Sequence, residues 1–353
     1  MGGGLAASAL VAALRRRGSG AEITVLSAEA LLPYDRPPLS KELFTRTEPA
    51  WLRDEFALPD DAADVSLGTS AVELTSGGVV TADGQLWEAD EIVLATGVAP
   101  IAPWPGVHTL HTWEDAVGLR SALESAGSVA IIGAGWLGLE LASVARERGL
   151  EVTLVDATPD PLGTVLPHAA AARIGQWVAD TGIAFHGGAP VAEVNGRDVV
   201  TTAGTTVDAD VIVAALGSRP QTKWLPAELL TRCGHVAAHT NGRVREGLWA
   251  IGDCAESDGT THPHWNDAVA AAERCAAALT GSEPPPRRAP HGFSEMFRRD
   301  VQLLGTPSPT ADVEFDQTVR GWVAHLSLAG ELRAVLAVDS PREVAKARKT
   351  LVT

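Results

Sequence analysis

The stretch VAIIGAGWLGLELASVARERGLEVTLVD, residues 129–156, decides the fold. VAII (129–132) is a short apolar run that predicts a buried strand, and GAGWLG (133–138) predicts a tight turn. LELASVARERG (139–149) carries apolar residues at helical spacing and ends on Gly149, and VTLVD (152–156) reads as the next strand. A G-x-G-x-x-G turn between strand and helix lets the backbone approach a pyrophosphate that sits on the helix N-terminal dipole. Gly133, Gly135 and Gly138 hold those three positions, and Asp156 closes the second strand about 20 residues on, where a carboxylate can accept from adenosine ribose hydroxyls. Ala157 and Thr158 offer no cation for a 2′-phosphate, which favours NAD over NADP.

The same plan occurs upstream. Gly2-x-Gly4-x-x-Ala7 is followed by apolar residues at helical spacing through residue 17 and by the strand ITVL (23–26). Only Met1 precedes this turn. In a doubly wound sheet the missing strand would be central, and its neighbours would be left with unpaired backbone groups. The expectation is that the native chain begins several residues earlier and that Met1 stands where a strand residue such as Val would be. EIVLATG (91–97), DVIVAALG (210–217) and LWAIGD (248–253) read as parallel strands buried on both faces. After a proline-rich linker, Pro284–Pro286 with Arg287 and Arg288, the pieces GWVAHLSL (321–328), ELRAVLAV (331–338) and PREVAKARKTL (341–351) suggest a small α+β unit. The fold class is therefore α/β, with two doubly wound, Rossmann-like nucleotide-binding domains and a small C-terminal α+β domain.

Composition excludes several functions. The 353 residues hold 44 Asp and Glu against 28 Lys and Arg, a formal charge of −16 that argues against general nucleic-acid binding. No apolar run reaches the roughly 20 residues of a membrane helix, and no signal peptide opens the sequence, so a cytoplasmic location is expected. Cys233, Cys254 and Cys275 are odd in number and widely spaced, leaving no C-x-x-C for redox or zinc chemistry. Cys254, His262 and His264 lack a fourth ligand, and no metal is expected.

The most specific stretch is PYDRPPLSK (33–41), which contains the single tyrosine and one of four lysines. It resembles the FAD-dependent NAD(P)H ferredoxin reductases, which feed 2Fe–2S ferredoxins of cytochrome P450 and aromatic-ring dioxygenase systems. LATG (94–97), PGVHTLHTWEDAVGLR (105–120), ALGSRP (215–220), AIGDCAE (250–256), HWNDAV (264–269) and VLAVDSPREV (335–344) follow in the family's order. Two stretches depart from it: His111 replaces an arginine, and FSEM (293–296) replaces W-S-D-Q. The segment between Phe44 and Val65 is also short.

The resemblance implies that Gly2, Gly4 and Ala7 hold the FAD pyrophosphate, with Ala28 and Glu29 at the adenosine end. It implies Lys41 beside the isoalloxazine and paired with Glu140, both serving hydride transfer, although a glutamate in a first helical turn also favours the dipole. Arg36, Ala71, Thr96, Gly97, Arg120, Gly217, Gly252, Asp253 and Trp265 join Gly133, Gly135, Gly138 and Asp156 as implied cofactor-binding residues. Trp265 would precede a helix, roughly 266–279, whose N-terminus points at the flavin.

The implied organisation is an FAD domain over 1–104 and 232–284, an NAD domain over 105–231 and a C-terminal interface domain over 285–353. NADH would reduce FAD, and single electrons would pass to a 2Fe–2S ferredoxin. The chain would be a monomer or homodimer. Residues 284–353 carry ten Arg and Lys against eight Asp and Glu, a net of +2, leaving −18 on residues 1–283. An acidic ferredoxin would be steered to the C-terminal domain, although the same arginines also read as merely solvated. The alternatives are an NADH oxidase or a quinone or small-acceptor reductase, a reductase for a nitrite or rubredoxin system, and a flavin-binding interaction module without turnover.

Overall fold

The computed structural model describes residues 1–261 and 264–351. The chain divides into two compact units: Met1–Asp35, Glu48–Ala99 and Arg219–Pro286 form the first, and Arg36–Thr47, Pro100–Ser218 and the chain from Arg287 onward form the second.

In the first unit Thr24–Leu26 pairs in parallel with Asp64–Ser66, and Ile92–Leu94 pairs in parallel with Leu248–Ala250. Met1 and Gly2 lie between these two sheets. The Met1 nitrogen donates to the Val93 carbonyl at 2.7 Å, Ala95 N–H donates to the Met1 carbonyl at 2.7 Å, and Gly2 N–H donates to the Leu26 carbonyl at 2.9 Å. Met1 thus occupies the position where the sequence pattern calls for a central strand. The helix Leu5–Arg16 is buried continuously from Ala6 to Leu14, as expected of a helix that is apolar all round. Its alanines, Ala9 and Ala13, share a core with Ala272, Cys275 and Ala276 of the helix Trp265–Leu279. A three-stranded antiparallel sheet, Ala71–Leu74, Gly78–Thr81 and Leu86–Glu88, completes the plan.

The second unit repeats it. Its four parallel strands run in the order Ala184–His186, Glu151–Val155, Ser128–Ile132, Val211–Ala214, with Ile131 opposite Leu154 and Val213. The strands Ser128–Ile132 and Val211–Ala214 are apolar and buried at every residue except Ser128. Another three-stranded antiparallel sheet, Val191–Asn195, Asp198–Thr201 and Thr206–Asp208, follows. The helix Trp136–Glu147 begins three residues earlier than the apolar spacing suggests, so Glu140 lies in its second turn and not its first. The helix dipole acts within the first turn and therefore does not account for Glu140. The C-terminal residues form a five-stranded antiparallel sheet, with the helix Pro341–Ala347 ending four residues short of the expected Leu351.

The segment from Arg36 to Thr47 belongs to the second unit through specific contacts. Arg36 donates to the His111 carbonyl, Arg120 Nε donates to the Leu43 carbonyl at 2.7 Å, and the Arg148 guanidinium lies 5.2 Å from the Phe44 ring centroid.

One turn of the C-terminal sheet is strained. The strands His291–Met296 and Arg299–Gly305 are joined by two residues, Phe297 at φ 52° and Arg298 at φ 60°. A two-residue turn with both φ positive matches strand twist but favours Asn or Gly, and a side chain there costs about 1 kcal/mol or more. Arg298→Gly is expected to raise the urea midpoint by the equivalent of about 0.5 kcal/mol, because the greater unfolded-state entropy of glycine and the loss of the exposed Arg298–Glu147 pair offset only part of the relief. An unchanged or lowered midpoint would count against strain at this turn.

Candidate dinucleotide sites and the Lys41–Glu140 pair

Both glycine turns show the same graded fit. Gly133 has φ +110°, and a Cβ there would meet the Ala215 carbonyl oxygen at 2.3 Å. Gly2 has φ +101°, and its Cβ would meet the Ala95 carbonyl oxygen at 2.1 Å. The first glycine of each turn is therefore required by the fold. At the second glycine, Gly4 or Gly135, nothing lies within 4 Å of a Cβ. The third position is tight again: a Cβ at Gly138 would lie 1.9 Å from the Gly133 carbonyl oxygen, whereas the buried Ala7 fills its equivalent. Glycine at the middle position is thus not needed for packing and leaves open backbone.

The helices that start here are equally suggestive. Gly4 and Gly135 are their N-caps, and neither helix has a side-chain cap or an acid in its first turn. The helix Trp113–Glu124, by contrast, is closed by a full capping box between Thr112 and Asp115. Uncapped N–H groups and the positive end of the dipole form an anion site. Asp156 stands beside the second turn, accepting from Ala134 N–H at 2.6 Å through Oδ2 and from Thr158 N–H and hydroxyl at 2.7 and 2.6 Å through Oδ1. Oδ2 retains a lone pair for a further donor.

In the first unit the strand ends converge on the Gly2 turn. A Cβ at Gly2 would lie 3.0 Å from Thr96 N, and one at Gly252 would lie 2.8 Å from Ala6 Cβ. Gly97 and Gly252 have positive φ, at +64° and +70°; Gly217, in the second unit, has φ +83°. Asp267 Oδ2 is a buried polar atom without a hydrogen-bond partner. Burial pushes the Asp267 carboxyl up to about 7, with Arg274 pulling it down and the Asp253 carboxylate pushing it up. Native proteins keep few such orphaned atoms, and a polar ligand would satisfy them. Asp267 is the residue that sequence reasoning passed over, since nothing in HWNDAV marks it as unpaired. Trp265 donates through Nε1 to Asp35 at 3.0 Å and stacks on Phe56 at 6.2 Å, which fixes the start of its helix. Of the other candidates, Ala28 is exposed, Ala71 pairs with Thr81, and Glu29 accepts from the Tyr34 hydroxyl.

In the second unit Lys41 and Glu140 meet. Lys41 Nζ lies 3.4 Å from Glu140 Oε1, and the carboxylate also accepts from Ser40 Oγ and Ser294 Oγ, each at 2.5 Å. Arg120 lies in the same unit, with its guanidinium 5.8 Å from the Trp113 ring centroid.

The model of the pyridine nucleotide-disulphide oxidoreductase family matches residues 1–274. The chain belongs to this family. It is an oxidoreductase that works with a flavin and NAD(H), and the graded fit of both glycine turns agrees with that chemistry. It is 30% identical to the rhodocoxin reductase of Rhodococcus erythropolis, covering 100% of this chain and 88% of that protein. It is also 30% identical to a rubredoxin-NAD(+) reductase of Pseudomonas putida, over 83% of this chain and 82% of the other. The crystal structure of the ferredoxin reductase for the CYP199A2 system of Rhodopseudomonas palustris superposes with a TM-score of 0.88 at 27% identity, covering 97% and 91% of the two chains.

The cysteines set this family member apart from dithiol enzymes. All three are free, Cys233 exposed and the other two buried. Burial raises the Cys254 thiol and pushes that of Cys275 up to about 12, so neither is a nucleophile at neutral pH. Cys254 instead donates to the Leu94 and Ile251 carbonyls at 3.5 and 3.4 Å. His262, which the sequence sets near Cys254 and His264, lies outside the described residues. No helix among the described residues is long and apolar enough to cross a membrane.

Proposed function

We propose that this enzyme oxidises NADH and delivers single electrons through FAD to a 2Fe–2S ferredoxin that serves a monooxygenase or dioxygenase. The observation that carries the reading is the pair of uncapped glycine turns, each open at its middle glycine, in a chain with no dithiol. Two dinucleotides are to be held, and no disulfide is there to receive the electrons. The redoxin reductase names of the relatives point to the acceptor class.

The roles follow from the residues. Gly2, Gly4 and Ala7 receive the FAD pyrophosphate on the helix Leu5–Arg16, and Gly133, Gly135 and Gly138 receive that of NADH on the helix Trp136–Glu147. Asp156 accepts from ribose, a role that a 2′-phosphate would oppose by charge repulsion. Lys41, neutralised by Glu140, and Arg36, Arg120, Asp253 and Trp265 are assigned to the flavin. When bound, the flavin takes a hydride and gives up electrons one at a time, which nicotinamide does not do. The functional domains are an FAD domain (1–104, 232–284), an NAD domain (105–231) and an interface domain (285–353), and the enzyme acts in the cytoplasm.

Anaerobic titration is the direct test. NADH is expected to bleach the bound flavin at much lower concentration than NADPH, and cytochrome c reduction is expected to require an added 2Fe–2S ferredoxin. Equal bleaching by NADPH would refute the nucleotide preference, and rapid turnover on oxygen or quinone alone would refute the acceptor.

The basic residues of the interface domain are exposed apart from Arg299, which is half-buried over the Trp177 ring at 4.8 Å. Arg320→Glu with Arg342→Glu reverses two of the exposed charges without touching that contact. At low salt the pair is expected to slow ferredoxin reduction by about tenfold, and the difference should shrink as screening shortens the field. An equal rate at low salt would place the docking face elsewhere.

A further inference from the structure

The strand His291–Met296 is the edge of the C-terminal sheet, and it lies along the helix Trp136–Glu147. Three contacts fix its register. Ser294 Oγ donates to Glu140 Oε1 at 2.5 Å, Phe297 N–H donates to Ser143 Oγ at 2.8 Å, and Arg298 Nε meets Glu147 Oε1 at 3.2 Å. Glu140, Ser143 and Glu147 are spaced as neighbours on one helix face. The strained turn at Phe297 and Arg298 is what lets two successive residues reach along that face.

The consequence falls on Glu140. Its residue is 7% exposed, and its two oxygens are held from different elements, Oε2 by Ser40 and Oε1 by Ser294, which are 4% and 3% exposed. Lys41 Nζ shares Oε1 with Ser294 and lies 5.0 Å from the ring centroid of Phe293, the residue just before Ser294. Successive residues of one edge strand therefore touch both members of the pair. A slip of one residue would put Phe293 or the like-charged Glu295 against Glu140. Glu140 sits where its helix offers no free N–H, so the two hydroxyls and the ammonium are its partners.

We propose that Ser294 is a positioning residue that, with Ser40, locks the Glu140 carboxylate and through it sets the place of the Lys41 ammonium. The inference rests on the assignment of Lys41 and Glu140 to hydride transfer. It gives the C-terminal sheet a part in the chemistry that is separate from partner docking.

The test reads Lys41 directly in the apo-protein. An amine-reactive label followed by mass spectrometry reports all four lysines, and Lys223, Lys346 and Lys349 serve as internal standards. In Ser294→Ala, Lys41 is expected to label at least about fivefold faster while the three standards keep their rates; Ser294→Thr, which retains the hydroxyl, should restore slow labelling. Ser40→Ala should act in the same direction and guards against a folding defect confined to one variant. In the flavin-loaded enzyme Ser294→Ala should slow single-turnover bleaching by about tenfold with the NADH Kd unchanged. Unchanged Lys41 labelling in both alanine variants would overturn the clamp. Faster labelling with full bleaching speed would leave the clamp in place and overturn the catalytic assignment on which the proposal rests.

Discussion

Gly135→Val is expected to leave the folding of the apo-protein unchanged and to raise the Kd for NADH by about a hundredfold, equivalent to about 2.7 kcal/mol. The reason is the contrast within one turn. Gly135 has φ −77°, a value open to any residue, and no atom lies within 4 Å of where its Cβ would stand. A side chain is therefore accommodated by the protein alone. It would stand on the uncapped first turn, over the N–H groups that a pyrophosphate needs. Gly138→Ala should behave in the opposite way, since its Cβ would lie 1.9 Å from a backbone oxygen that cannot rotate aside. Moving the helix off the strand is expected to destabilise the apo-protein by about 3 kcal/mol. Urea melts and fluorescence titration with NADH separate the two effects. A Gly135→Val protein that binds NADH normally would remove the dinucleotide from this turn.

The same logic at Gly4 tests the other turn independently. Gly4 has φ −103° and an equally open Cβ position, so Gly4→Val should give a folded protein that is purified without flavin. Gly2→Ala should fold poorly, because Gly2 is in the left-handed region and faces the Ala95 carbonyl. Two turns that respond alike, each losing a different nucleotide, are what two dinucleotide sites require.

The glycine turns were legible in the sequence because their spacing and flanking strands are local, as were the strands that carry Gly97, Gly217 and Gly252. The neighbours of Glu140 were not. Ser294 is 154 residues away and sits in FSEM, which reads only as a departure from W-S-D-Q until the edge strand brings it to the helix. The helix start was hidden because Trp136 and Leu137 lie inside the glycine motif, so periodicity registered only from Leu139, and Glu140 read as a first-turn dipole residue. The position before the first glycine turn was legible because the sheet needs a residue there, and Met1 bonds to Val93 and Ala95 while Gly2 N–H bonds to the Leu26 carbonyl. Side-chain satisfaction over long sequence separations is a tertiary property, and no local pattern encodes it.

Asp267 shows how such a hidden property becomes measurable. Its Oδ2 is buried without a partner, and burial, with the Asp253 carboxylate adding, raises its folded-state value to about 7 although Arg274 opposes this. In the unfolded chain the carboxyl returns to about 4. The folded state therefore holds its proton where the unfolded state has lost it. The stabilisation is complete below about pH 4 and is lost as pH rises to about 7, the sign that follows when the native state binds more protons. At face value the shift is worth roughly 4 kcal/mol, but the side chain is only part-buried and water screens it, so about 2 kcal/mol is expected. Asp267→Asn keeps the shape and cannot ionise. Its advantage over the wild type in apo-protein urea melts should grow from near zero at about pH 4 to about 2 kcal/mol at about pH 8. Other titrating groups are common to both proteins and cancel in the difference. A difference that stays flat across that range would mean that the Asp267 carboxylate is solvated, and the orphaned oxygen would then carry no weight as a mark of the flavin site.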